Sequence, residues 1–244
     1  MRYFSFIVII IFLCLQIAFG GTRHSSVNDN NLLNNAKNYD CIVQVVVNKN
    51  GGEYKASGVL ISKDVVLTSA HIVYQQSADN ISIIYHNKKY KITKSIVHNN
   101  FQYKFDGDLA ILKILGFIDT IYPKLYETKD EIGKLAYLGG YGAIGTGDTG
   151  YNSYDFKLRV GSNIVEYISG DMLMCTLSKD IITKYEFITC PGDSGGGLFI
   201  NGKLAGINSS LFSTSNKDKP LGKYDNSSGH TRISQYIDWI KDNI

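Results

Sequence analysis

The sequence predicts an all-β domain closed by one C-terminal helix, and three observations carry that reading. Short apolar runs recur from Ile42 onward, each broken by turn residues: 42–47, 59–61, 65–68, 81–85, 90–92, 109–114, 134–138 and 198–200. Many short strands at this spacing build a sandwich or barrel. Asn201-Gly202 falls between the runs 198–200 and 204–207. That dipeptide tolerates the positive φ that a tight hairpin demands. Only the end of the chain shows helical spacing: Ile233, Tyr236, Ile237, Ile240 and Ile244 share a face behind Thr231 or Ser234 as a cap.

The chain has 244 residues, enough for one large domain or two small ones with a substantial core. Hydrophobic residues make up 44% and charged residues 19%, as in ordinary globular proteins. The formal charge of +3 is too small, and too scattered, to indicate a nucleic-acid partner. Residues 1–20 stand apart. Arg2, an apolar run over 6–15, and Ala18-Phe19-Gly20 read as a secretory signal peptide cut after Gly20 or Gly21. The apolar run is short for a membrane span, so the mature chain is expected outside the cell and free of the membrane. Residues 21–40 are polar, with five Asn between Asn28 and Asn35, and predict a flexible N-terminal segment before a domain over 41–244.

Four cysteines occur, and Cys14 leaves with the leader. Cys41, Cys175 and Cys190 remain, so at most one internal disulfide can form. Sequons begin at Asn80, Asn208 and Asn226. The five histidines show no metal-ligand spacing and no paired Cys-x-x-Cys exists, so neither metal nor cofactor is expected.

Three segments carry chemistry: Leu67-Thr68-Ser69-Ala70-His71, Gly107-Asp108-Leu109-Ala110-Ile111-Leu112 and Gly192-Asp193-Ser194-Gly195-Gly196-Gly197. Each alone has an ordinary structural explanation. Together, in the order His, Asp, Ser, they supply what hydroxyl attack on an amide needs. A base takes the proton, a carboxylate fixes the base's tautomer and stabilises imidazolium, and a glycine-rich turn can aim amides at the oxyanion. Gly192 and Ser194 are the candidate oxyanion donors.

On these residues the chain resembles the trypsin/chymotrypsin family of serine proteases, over roughly 41–244. Lesser landmarks agree: Gly140-Tyr141-Gly142, Gly206-Ile207-Asn208-Ser209, and the closing stretch from Thr231 to Ile240. The resemblance implies two six-stranded antiparallel β-barrels of chymotrypsin type, divided near 120–135, with His71, Asp108 and Ser194 as catalytic triad in the cleft and Ser209 supporting Asp108. It also implies protein or peptide substrates, with protein inhibitors as candidate partners.

The chain departs from that family in three respects. No Ile-Val-Gly-Gly-like start occurs, so the partner of Asp193, which in the family is a new N-terminal amine, is not visible. In this, and in the stretches 139–150 and 158–163, it looks more like secreted bacterial-type members. Family disulfide positions are lost: Cys190 stands where the family has a cysteine but the usual downstream partner is absent, so Cys175, fifteen residues upstream, is the expected partner, with all three thiols reduced as the alternative. Finally, the base of the first substrate pocket falls at Ile188 and Thr189, with Ser209, Ser210, Leu211, Gly229 and His230 as walls. No acidic residue stands there, so cleavage after Lys or Arg is disfavoured and an apolar or small residue is expected, with His230 as an alternative reader of acidic side chains. The rival to an active endopeptidase is a catalytically inactive homologue that binds protein.

Overall fold

The computed structural model describes residues 21–101, 106–213 and 221–244. The leader expected over 1–20 lies outside the described residues, and so does Cys14. The chain enters through a two-residue strand, β1 (Thr22–Arg23), and a helix, α1 (Asp29–Ala36). Composition predicted a flexible segment over 21–40, and the structure differs. Asn28 caps α1 by accepting the Asn30 N–H at 2.9 Å. Asp29 receives a forked pair of bonds from the Arg159 guanidinium, at 2.8 and 2.7 Å, and Leu32 and Ala36 are buried. Composition counts polar residues but not the partners they meet.

The first half is a closed barrel. Its strands are β2 (Ile42–Lys49), β3 (Gly52–Ser62), β4 (Val65–Thr68), β5 (Ile81–Tyr85), β6 (Lys88–Val97) and β7 (Ala110–Ile114), with a single-turn helix, α2 (Ala70–Val73), after β4. The order β2-β3-β4-β7-β6-β5 closes because β2 pairs with both β3 and β5. Closure leaves no unpaired edge, and the interior fills with branched side chains such as Val43, Val45, Leu67, Ile83 and Ile111.

The second half holds β8 (Leu135–Gly140), β9 (Ile144–Thr146), β10 (Gly150–Ser153), β11 (Arg159–Ile164), β12 (Tyr167–Ser169), β13 (Met172–Thr176), β14 (Phe187–Ile188), β15 (Gly197–Ile200), β16 (Lys203–Phe212) and β17 (Ser227–Arg232). Seven of these form one antiparallel sheet in the order β11-β8-β15-β16-β17-β13-β12. It is a curled sheet rather than the second closed six-stranded barrel expected. Asn163 ties β11 back to β13, donating to the carbonyl of Thr176 at 2.9 Å and to that of Phe187 at 3.0 Å. Asn201 and Gly202 both take positive φ in the hairpin between β15 and β16, as their sequence predicted. A smaller sheet, β10-β9-β1-β14, grips the start of the described chain. The terminal helix, α3 (Ile237–Asn243), is shorter than the apolar pattern, because Ile233–Gln235 forms a separate 3-10 turn. Ile233 and Ile240 pack into the first barrel's core cluster. Among the described residues no helix is long and apolar enough to cross a membrane.

The expected Cys175–Cys190 disulfide is not formed. Cys41, Cys175 and Cys190 are separate buried thiols. Cys175 packs in the second core with Leu173 and Leu198, whereas the Cys190 sulfur lies 3.7 Å from the Thr22 hydroxyl.

Candidate active site

The three motif residues arrive on separate elements. His71 sits in the single turn α2, just beyond β4. Asp108 follows Gly107 in the turn that leads into β7. Ser194 occupies the tight turn between β14 and β15. Gly195 has φ +84° there, and a Cβ on it would lie 2.1 Å from the Ser57 carbonyl, so no other residue fits so close to the first barrel.

The structure brings His71 and Asp108 together. His71 Nδ1 lies 2.8 Å from Asp108 Oδ2, and the His71 backbone N–H donates to Oδ1 at 2.9 Å. Ser209, from β16, donates its hydroxyl to Oδ2 at 2.5 Å. Asp108 is buried, 3% exposed. Burial pushes its carboxyl up, but the hydrogen bonds from His71 and Ser209 and the histidine's charge outweigh that and hold it below the usual range. With Nδ1 committed to the carboxylate, Nε2 is the ring nitrogen left for the cleft. His71 and Ser194 line one cavity of about 220 Å³.

Further bonds stitch the halves across this cleft. The Ser57 N–H donates to the Ser194 carbonyl at 2.8 Å, Ser69 donates its hydroxyl to the Asn208 carbonyl at 2.5 Å, and Thr231 donates to the Asp108 carbonyl at 3.1 Å. Around the turn, the Ser57 hydroxyl holds the Gly192 carbonyl at 3.0 Å, and Gly192 has φ +91°. Among the described residues neither the Gly192 nor the Ser194 N–H meets a backbone or side-chain acceptor. Two unspent donors in one turn are what an oxyanion needs.

The rest of the cavity wall is Tyr54, Thr189, Cys190, Pro191, Asn208, Ser209, Ser210 and Leu211. Thr189, Ser209, Ser210 and Leu211 were expected in it. Ile188 and Gly229 were too, but neither lines it. Ile188 is fully buried in β14, paired with Thr22, and Gly229 is held between β13 and β16. Tyr54, from the distant β2–β3 hairpin, carried no sequence signal. His230 cannot read an acidic side chain. It is fully buried, its Nδ1 is 2.8 Å from Asn208 Oδ1 and its Nε2 is 3.0 Å from Ser228 Oγ. Burial pushes its pKa down to about 3, so the ring is neutral. Of the sequons, Asn208 and Asn226 are buried, and the Asn208 amide donates to the Gly139 and Asp193 carbonyls, which leaves no room for a glycan.

Asp193, beside the nucleophile position, is 1% exposed. Burial pushes its carboxyl up to about 7. Its oxygens accept N–H bonds from Cys190 at 3.1 Å, Gly142 at 2.9 Å, and Gly21. The partner that sequence could not show is thus, in part, the backbone of Gly21.

Fold and site together describe a two-lobed β protein with the bonded His71–Asp108 pair and Ser194 meeting at its seam. A family model described as Trypsin matches residues 33–240, so the chain belongs to the trypsin family of serine endopeptidases. Among curated relatives, a trypsin of Phaedon cochleariae is 28% identical over 211 residues, covering 76% of this chain and 77% of that one. Kallikrein 1-related peptidase b3 of Mus musculus is 26% identical over 226 residues, covering 79% and 81%. Among solved structures, neuropsin, a serine protease of mouse brain, superposes with a TM-score of 0.64 at 20% identity, covering 82% of this chain and 92% of that one. A scabies mite inactivated protease paralogue superposes with a TM-score of 0.63 at 18% identity, covering 84% and 94%. At these identities the two structures speak for the fold alone.

Proposed function

We propose that the protein is an active, secreted serine endopeptidase that cleaves proteins or peptides through an acyl-enzyme. His71 removes the Ser194 proton, Ser194 attacks the scissile carbonyl, and the Gly192 and Ser194 amides hold the oxyanion. His71 then protonates the leaving amine, and water, activated by the same ring, hydrolyses the ester. Asp108 fixes the tautomer with Nδ1 protonated and stabilises the imidazolium. The observation that carries this reading is the twice-bonded His71–Asp108 pair sharing one small cavity with Ser194.

The inactive-homologue alternative would need some part of this machinery to be missing, and every part is in the chain. The cavity supports an apolar or small residue before the cut: its volume is small and no wall residue other than His71 is ionisable apart from the thiol of Cys190 and the phenol of Tyr54. The leader motif over 1–20 supports secretion.

The test is labelling of the purified protein with a fluorophosphonate, read by intact mass. One adduct, absent in Ser194→Ala, is the expected result. A full yield of adduct on the Ser194→Ala variant overturns the assignment.

A further inference from the structure

The three most exposed large apolar side chains among the described residues lie close together in the chain. They are Ile121, Phe117 and Leu115, at 89%, 68% and 62% exposure. Leu115-Gly116-Phe117 follows β7 as a turn that projects from the first barrel. Gly116 has φ +95°, and a Cβ on it would meet nothing within 4 Å. Both ends of the turn are anchored. The Leu115 N–H donates to the Lys91 carbonyl and the Ile118 N–H to the Lys63 carbonyl, each at 2.8 Å, and Ile118 is buried. The fold therefore holds two bulky apolar side chains out in water, which opposes the usual drive to bury them.

Cations flank that turn. Strands β4, β5, β6 and β7 carry five lysines, Lys88, Lys89, Lys91, Lys94 and Lys113, and no Asp or Glu. Lys91 is the ladder neighbour of Leu115, and Lys94 faces Lys113 directly across β6 and β7. Like charges placed opposite one another repel. Among the described residues none of the five joins a salt bridge, whereas Lys134, Lys157 and Lys241 elsewhere each do. Asp64, Asp79 and Asp119, in the turns of this half, form no salt bridge with them either. The patch also stands away from the cleft. Asp108 precedes β7 and Leu115 follows it, and seven residues of extended chain span about 23 Å.

We propose that this face docks the protein on an anionic phospholipid surface, with Leu115 and Phe117 entering the boundary between headgroups and acyl chains and the lysines of β6 and β7 lying against the lipid phosphates. An apolar turn projecting from a cationic wall matches both layers of such a surface at once. A soluble polyanion would engage the lysines and leave Leu115 and Phe117 in water. A second copy of the chain meeting this one through the same face would set five lysines against five. The attachment is peripheral, since among the described residues no helix is long and apolar enough to cross a membrane. It leaves the cleft, at the other end of β7, open to solvent, and it does not depend on the chemistry at Ser194.

The test is co-sedimentation of the purified protein with vesicles of phosphatidylcholine alone and with vesicles of equal parts phosphatidylcholine and phosphatidylserine. Binding to the anionic vesicles should be at least about 10-fold tighter, and it should weaken as salt rises from about 0.05 to 0.5 M, because salt screens exposed charges. Lys91→Gln with Lys113→Gln should weaken it about 20-fold, and Phe117→Ser about 10-fold. Each variant should keep the wild-type thermal midpoint, because the side chains face solvent and the loss of Lys113 relieves the repulsion from Lys94. Lost binding is then not lost folding. Equal binding to the two kinds of vesicle, or none, overturns the proposal. Anionic binding that survives the three substitutions together overturns it, because the contact then lies elsewhere. Capture by dextran sulfate without vesicle binding assigns the face to a soluble polyanion and overturns it as well. A dimer in solution that Phe117→Ser dissociates does the same, because a second copy then covers the turn.

Discussion

The two halves of the molecule bury different chemistry. The closed barrel of β2–β7 is filled with Val, Ile and Leu, and among the described residues its buried charge, Asp108, lies at the seam with the other half. The second half, β8–β17, encloses or abuts Glu131, Arg159, Asp171, Glu186, Asp193 and Arg232, each buried. A barrel whose backbone bonds close on themselves needs only apolar filling. A sheet that shapes a cleft and holds the two-residue strand β1 keeps ionisable groups inside, and each then needs a partner. The first half should fail by losing volume and the second by losing partners.

The largest effect tests the seam. Ser194→Ala should lower peptide turnover on the order of 10⁶-fold with the thermal midpoint unchanged; a large shift in the midpoint would mean that the residue holds the two halves together. The next tests the second half. Arg232 donates to Glu131 at 2.9 and 2.7 Å, and Ser234 adds a bond at 2.7 Å. Arg232→Met strands the fully buried Glu131 and should cost about 3–5 kcal/mol in urea unfolding at pH 7. Burial raises the Glu131 carboxyl, but Arg232 and Ser234 outweigh it and lower it. The stability from this pair is therefore present above the unfolded carboxylate value near ~4.3 and lost as pH falls through the lower folded one. The penalty of Arg232→Met should shrink in the same direction. The double change Glu131→Leu with Arg232→Met should recover most of the loss; no recovery would mean that shape rather than charge decides there.

Two smaller effects complete the contrast. Asp29→Asn weakens the fork that pins α1 to Arg159 and should cost about 1 kcal/mol, with earlier hydrogen exchange confined to α1. Ile83→Val in the first barrel should cost about 0.5–1.5 kcal/mol at every pH between 5 and 8. A pH-dependent loss at Ile83 would break the division between an apolar half and a partnered half.

Much of the first barrel was legible because its strands announce themselves within four to eleven residues. The runs 65–68 and 81–85 coincide with β4 and β5, and Asn201-Gly202 makes the hairpin its φ preferences require. The candidate residues His71, Asp108 and Ser194 stand out in the sequence for the same reason, since each lies in a short segment of marked composition. The order of 21–40 was not legible. Its helix is held by Arg159, 130 residues away, and its strand by β14 and β9. The fate of the thiols was not legible either, because nothing local says that Cys190 faces Thr22 rather than Cys175. Ile188 was placed in the pocket by counting back from Ser194, whereas strand pairing turns it into the core and Tyr54 arrives from another hairpin.

By itself the sequence determined the strand-rich class, the order of the candidate residues His71, Asp108 and Ser194, and the glycines that let Ser194 sit in a tight turn, because propensity and turn chemistry act over a few residues. Only the tertiary structure decided that His230 is spent on Asn208 and Ser228, and that the Gly21 backbone reaches Asp193. Those outcomes turn on the cost of burying polar groups, which is set by whichever partner the fold brings within about 3 Å.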